Sequence, residues 1–101
     1  MATRRPDYDT EDALALMGDR VTQWRRLLAL TQQQVADRAG ISRGALVRLE
    51  AGDPGPSIDT FFRVLSALHI VDQVTDALDP LQTAVGAARA EERLPQRVRR
   101  A

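Results

Sequence analysis

Two hydroxyl residues eleven positions apart, Thr31 and Ser42, each stand before a short run of helical apolar spacing, and each run is closed by a glycine, Gly40 and Gly52. This punctuation constrains the chain more than any other feature. A Ser or Thr oxygen accepts from backbone N–H groups that a helix's first turn leaves without partners, and a glycine just past the last turn takes the left-handed conformation that stops it. The Thr31 oxygen is in reach of the Gln33 or Gln34 N–H, with Val35 and Ala36 turned inward. Ser42 opens the next helix, whose apolar positions are Ala45, Leu46 and Leu49. Ala36 stands where a larger side chain would hold the two helices apart, Gly40 takes the positive φ of the turn, and Ile41 is the apolar plug beneath it. Two helices joined by a tight turn follow.

Upstream, from about Glu11 to Leu30, the residues Leu14, Met17, Val21, Trp24 and Leu28 recur at three- and four-residue spacing, giving an amphipathic helix that Gly18 can break. Membership of that stripe assigns Trp24 to packing rather than to stacking on a base. Downstream, the stretch Gly52-Asp53-Pro54-Gly55-Pro56 cannot continue a helix, because proline lacks an N–H and its ring clashes with the preceding turn. Ser57 and Asp59 open a fourth helix, in which Ile58, Phe61, Phe62, Leu65 and Leu68 form a wide apolar stripe that must pack on the first three. Phe61 and Phe62 are adjacent and cannot face the same way, so one is expected inside and the other at a subunit interface. A fifth short helix runs from about Val71 to Leu78 and ends at Pro80. No stretch alternates apolar and polar residues long enough for a strand, so the class is all-α. The expected layout is a flexible arm over 1–10, a five-helix domain over 11–79 with its two-helix core at 31–51, and a basic, mostly disordered tail over 80–101 in which 81–92 can turn helical.

The formal net charge is zero, but the charges are segregated. Over 19–50 six arginines stand against three carboxylates, a net of +3, whereas 51–80 hold one arginine against five aspartates, and 81–101 are basic again. A neutral sum is therefore compatible with a basic face for an anionic partner. The chain has no cysteine, which removes disulfides, thiolate metal sites and cysteine nucleophiles and fits a cytoplasmic protein. Arg4 and Arg5 lead into Asp7, Asp9, Glu11 and Asp12 rather than into an apolar segment, so neither a secretory leader nor a membrane span is expected. The one histidine, His69, follows a core leucine near a helix end and builds no metal site. Asp53, Asp59, Asp72, Asp76 and Asp79 are scattered over loops and helix ends instead of converging on a pocket. Neither catalysis nor a cofactor is expected.

The residues Leu30-Thr31-Gln32, Val35-Ala36, Ala39-Gly40-Ile41-Ser42, Leu49-Glu50-Ala51-Gly52 and Pro56-Ser57 give residues 18–69 a sequence that resembles the XRE family of regulators, which includes the lambda-type phage repressors. The resemblance implies a five-helix, lambda-repressor-like domain that binds double-stranded DNA as a two-fold homodimer, with the helix after Ser42 in the major groove. It places Ser42, Arg43, Gly44, Val47 and Arg48 toward base edges, where Arg43 or Arg48 can fork onto guanine N7 and O6. It places Gln32 at the exposed start of the preceding helix as a phosphate anchor, with Gln33 and Arg38 as further phosphate contacts. Arg25 and Glu50 match a structural ion pair between the first and third helices. Gly44 departs from many relatives, removing a reading side chain and costing up to about 1 kcal/mol of helix propensity. Phe62, Val71, Val74 and Leu78 are the apolar residues assigned to a dimer interface.

The leading expectation is a sequence-specific transcriptional regulator, mostly a repressor, that reads a palindromic operator and is nucleoid-associated when bound. The layout of one such domain, the run from Pro56 to Leu78 and an arginine-ended tail is also similar to HipB-like antitoxins, which bind a HipA-like kinase toxin and repress their shared operon. A protein–protein adaptor using the same helices would show no operator and no steep salt dependence. Arg93, Arg97, Arg99 and Arg100 of the tail either follow DNA phosphates or solubilise the end of the chain.

Overall fold

Side-chain oxygens set where the helices of this computed structural model begin. The Asp9 carboxylate accepts the Asp12 N–H at 2.9 Å, Thr31 Oγ1 accepts the Gln34 N–H at 3.0 Å, Ser42 Oγ the Ala45 N–H at 3.0 Å and Ser57 Oγ the Thr60 N–H at 3.0 Å. At Thr31 the bond is reciprocated, since Gln34 Oε1 accepts the Thr31 N–H at 2.8 Å and closes a capping box. The structure describes residues 9–93, and each regular element among them is helical: α1 (Thr10–Leu27), α2 (Gln32–Ala39), α3 (Arg43–Glu50), α4 (Ile58–Ala67), α5 (Val71–Ala77), a 3₁₀ turn (Pro80–Gln82) and α6 (Ala84–Arg93). Most of the expected N-terminal arm, together with Arg97, Arg99 and Arg100, lies outside the described residues. Internal contacts divide the chain between Val71 and Asp72 into two compact units. No helix among the described residues is long and apolar enough to cross a membrane.

The core of the first unit is aliphatic and thin. Val21, Val35, Leu46, Val64, Leu65 and Leu68 are its fully buried large side chains, drawn from α1 to α4 and the residue after α4. A chain of this length encloses little volume, and among the described residues no aromatic ring is wholly buried. The expected α1 stripe is corrected accordingly. Val21 alone of that stripe is buried, Leu14 and Trp24 are half-buried, and Met17 and Leu28 remain exposed. The expected division of labour between Phe61 and Phe62 is also corrected: both are half-buried, their rings edge to face with centroids 5.5 Å apart. Ile58, the first residue of α4, stays exposed, and Val64, outside the expected stripe, joins Leu65 and Leu68 in the core.

Gly18 does not break α1. It is buried, and a Cβ there would lie 2.8 Å from the Leu49 carbonyl oxygen and nearer still to that of Glu50. At Gly52, where φ is +83°, a Cβ would fall 2.8 Å from Ala15 Cα. Two glycines thus let α1 meet the C-terminal end of α3 backbone against backbone, with no room between them for a side chain. This contact fixes how α3 is presented.

In the second unit, α6 falls on the stretch 81–92 that the sequence allows to turn helical. The Asp79 carboxylate accepts the Leu81 N–H at 2.9 Å, and Thr83 Oγ1 accepts the Gly86 N–H at 2.9 Å, so both helical turns have side-chain caps. None of α5, the 3₁₀ turn and α6 buries a residue.

Candidate nucleic-acid interface

Helix α3 divides cleanly by face. Leu46 and Leu49 are buried against the core, whereas Arg43, Gly44, Val47 and Arg48 are exposed on the opposite side. Their spacing of one, four and five residues puts them on one stripe. Ser42 is exposed at the head of that stripe, but its oxygen is committed to the Ala45 N–H, leaving its O–H as the group available to a ligand. Beside the bare backbone of Gly44, the position of a Cβ would be 3.8 Å from Arg48 Nη1 and 3.9 Å from Ser42 Oγ. The Arg48 guanidinium therefore extends back along the first turn of α3, over the space that the missing side chain leaves.

One buried carboxylate holds this face in place. Arg25 of α1 donates from Nε to Glu50 Oε2 at 2.7 Å and from Nη2 to Oε1 at 3.1 Å, while its Nη1 donates to the Leu30 carbonyl at 3.0 Å. Gln32 of α2 donates to the same Glu50 Oε1 at 3.0 Å. The Arg25 and Glu50 side chains are 11% and 7% exposed, which assigns them to structure rather than to a ligand. Burial by itself raises the Glu50 pKa, but the hydrogen bonds from Arg25 and Gln32 and the Arg25 charge outweigh it, so the carboxyl is held below its ordinary value. Glu50 thus links α1, α2 and α3 while staying ionised.

Next to this network the start of α2 faces an open cleft of about 580 Å³, lined by Arg25, Leu30, Thr31, Gln32, Gln33 and Arg43. Gln32 is half-buried and tied to Glu50, which preorganises it and leaves its second amide hydrogen for an anion. The Gln32 and Gln33 backbone N–H groups belong to a first turn that offers them no intrahelical acceptor. Gln33 is exposed, with its amide donating to Asp37 at 2.9 Å, and Arg38 is exposed in the last turn of α2. The structure thus brings Gln32, Gln33 and Arg43 to one cleft. Gln34's part in the capping box was legible three residues after Thr31, whereas the closure of the network by Gln32 was not. Of the residues assigned to a dimer interface, Phe62, Val71 and Val74 are half-buried and Leu78 is 77% exposed.

A family model described as helix-turn-helix matches residues 21–72. A protein of Methanothermobacter thermautotrophicus named as an HTH-type transcriptional regulator is 36% identical over 55 residues, which span 52% of this chain and 80% of that protein. The matched stretch contains the capped pair α2 and α3, the buried Arg25–Glu50 link and the exposed arginine face. The chain belongs to the XRE-type helix-turn-helix family of DNA-binding regulators.

Proposed function

We propose that this protein is a sequence-specific transcriptional repressor that binds a palindromic operator as a homodimer. The observation that carries the reading is the division of α3, whose Leu46 and Leu49 face is consumed by the core while Arg43, Gly44, Val47 and Arg48 have no part in folding. Arg48, and with it Arg43, donates two parallel N–H groups to guanine N7 and O6, and Val47 offers an apolar surface to a thymine methyl. The Ser42 O–H and the open backbone at Gly44 let the first turn of α3 approach the base edges closely. Gln32, Gln33 and Arg38 bind phosphates across the groove, the first through an amide already oriented by Glu50. A two-fold pair presents two such helices about 34–36 Å apart, which sets the half-site spacing. Phe62, Val71, Val74 and Leu78 supply apolar surface for that pairing.

The test is selection of binding sites from a randomised DNA pool by the purified protein, repeated with an Arg43→Ala, Arg48→Ala double variant. A guanine-containing palindrome is expected, with its enrichment lost in the variant. If no sequence is enriched, direct readout by α3 is wrong and the helices serve protein contacts.

A further inference from the structure

Gly44 is the second residue of α3 and Arg48 follows four positions later, so the two are neighbours on the exposed stripe. A helical side chain leans back over the turn before its own Cα, and four residues of helix rise about 6 Å, a distance that an arginine spans. Arg48 uses that reach. Its Nη1 comes within 3.8 Å of the position that a Cβ on Gly44 would take, and Ser42 Oγ lies 3.9 Å from the same position.

Two donors therefore flank a stretch of bare helix. The Arg48 guanidinium has no hydrogen-bond or ion-pair partner among the described residues, in contrast to Arg25 and Arg63, which are held by Glu50 and Asp59. The Ser42 oxygen accepts the Ala45 N–H, which leaves its O–H to donate. At 3.8 Å a single methyl on residue 44 would be in ordinary contact with the guanidinium. A β-branched side chain would instead fill two of the three directions around Cβ and compete with Arg48 for the surface of the first turn.

We propose that Gly44 sets the base specificity of α3 through Arg48. The missing side chain opens the first turn to the Arg48 guanidinium, which reads a guanine in the base pair that faces position 44. Two parallel N–H groups of the guanidinium go to N7 and O6 of that guanine, one helical turn ahead of the Arg48 Cα. Arg48 is the contacting residue and Gly44 the positioning one. The inference rests on the reading above that α3 enters the major groove, and adds which base pair Arg48 reaches and why.

Selection of binding sites from a randomised DNA pool by the full-length protein tests it, alongside Gly44→Ala, Gly44→Ile, Arg48→Ala and the Gly44→Ile, Arg48→Ala double variant. Both positions are exposed, and circular dichroism checks that the helices are retained. Arg48→Ala identifies the base pair that Arg48 reads. Gly44→Ile is expected to lose guanine preference at that same base pair by about tenfold, the scale of one bidentate contact, with the other positions unchanged. Gly44→Ala, whose methyl fits, is expected to keep the wild-type site. The double variant is expected to lose no more than Arg48→Ala, because both changes remove one contact. The inference is overturned, with readout by α3 left standing, if Gly44→Ile keeps the site, relaxes a different base pair, weakens all sequences alike or adds to the loss from Arg48→Ala. Loss of the site in Gly44→Ala overturns it as well. A wild-type protein that enriches no sequence overturns it together with the function proposed above.

Discussion

Glu50 shows how one side chain sets the orientation of three helices. Its carboxylate accepts from Arg25 and Gln32, so α1 and α2 are both referenced to the last residue of α3. Glu50→Gln leaves the Arg25 guanidinium, 11% exposed, without its counter-charge. The expected loss is about 3 kcal/mol, the low end for breaking a buried pair, read from urea unfolding near neutral pH. The folded-state pKa of Glu50 lies below the unfolded value of about 4.3. Its stabilisation is therefore complete above that pH and is lost as the pH falls through the folded value. The stability gap between the wild type and Glu50→Gln should narrow at acid pH and stay flat from about pH 5 to 8, because the two proteins then bind the same number of protons in each state. Gly18 acts through the absence of a side chain. Gly18→Ala drives a Cβ into the Leu49 and Glu50 carbonyls, which are backbone and cannot swing away. A cost near 3 kcal/mol, roughly the upper part of the overpacking range, is expected in the same unfolding measurement.

At the scale of elements, the helix starts are secured more firmly than the stops. Four side-chain caps open α1 to α4, yet two of the exits place residues with a Cβ in the left-handed region, Ala29 at φ 59° and His69 at φ 62°. L-residues carry a penalty of roughly 1–2 kcal/mol there, part of which glycine returns as unfolded-state freedom. Ala29→Gly and His69→Gly are each expected to stabilise the protein by about 0.5–1 kcal/mol, raising the midpoint of thermal unfolding. Thr31→Ala should do the opposite by about 1 kcal/mol, since it opens the capping box at the end of α2 that faces the cleft. The result would separate cap from turn: a neutral outcome at His69 would mean that the exit of α4 is held by Ile70, buried just beyond it, rather than limited by backbone strain.

For the whole molecule, a formal charge of zero is compatible with the DNA-binding face proposed above because the arginines of 19–50 and the carboxylates of 51–80 lie in different stretches of the sequence. Arg38→Ala should weaken binding to all sequences alike and lower the slope of log affinity against log salt by about one per protomer. Arg48→Ala should instead relax base preference by about 1–3 kcal/mol, so titrations of matched and mismatched sites at several salt concentrations distinguish the two roles. The sequence by itself determined the all-helical class, the pair of capped helices around Gly40 and the outward stripe from Arg43 to Arg48. These follow from local rules of capping, left-handed glycine and helical period, which neighbouring residues satisfy without reference to the rest of the chain. Only the tertiary structure decided that Met17 and Ile58 stay outside the core, that Phe61 and Phe62 share their burial, and that Gly18 is a contact rather than a break. Periodicity gives the direction in which a side chain points from its own helix, but burial depends on how closely another backbone approaches, and here two glycines set that distance.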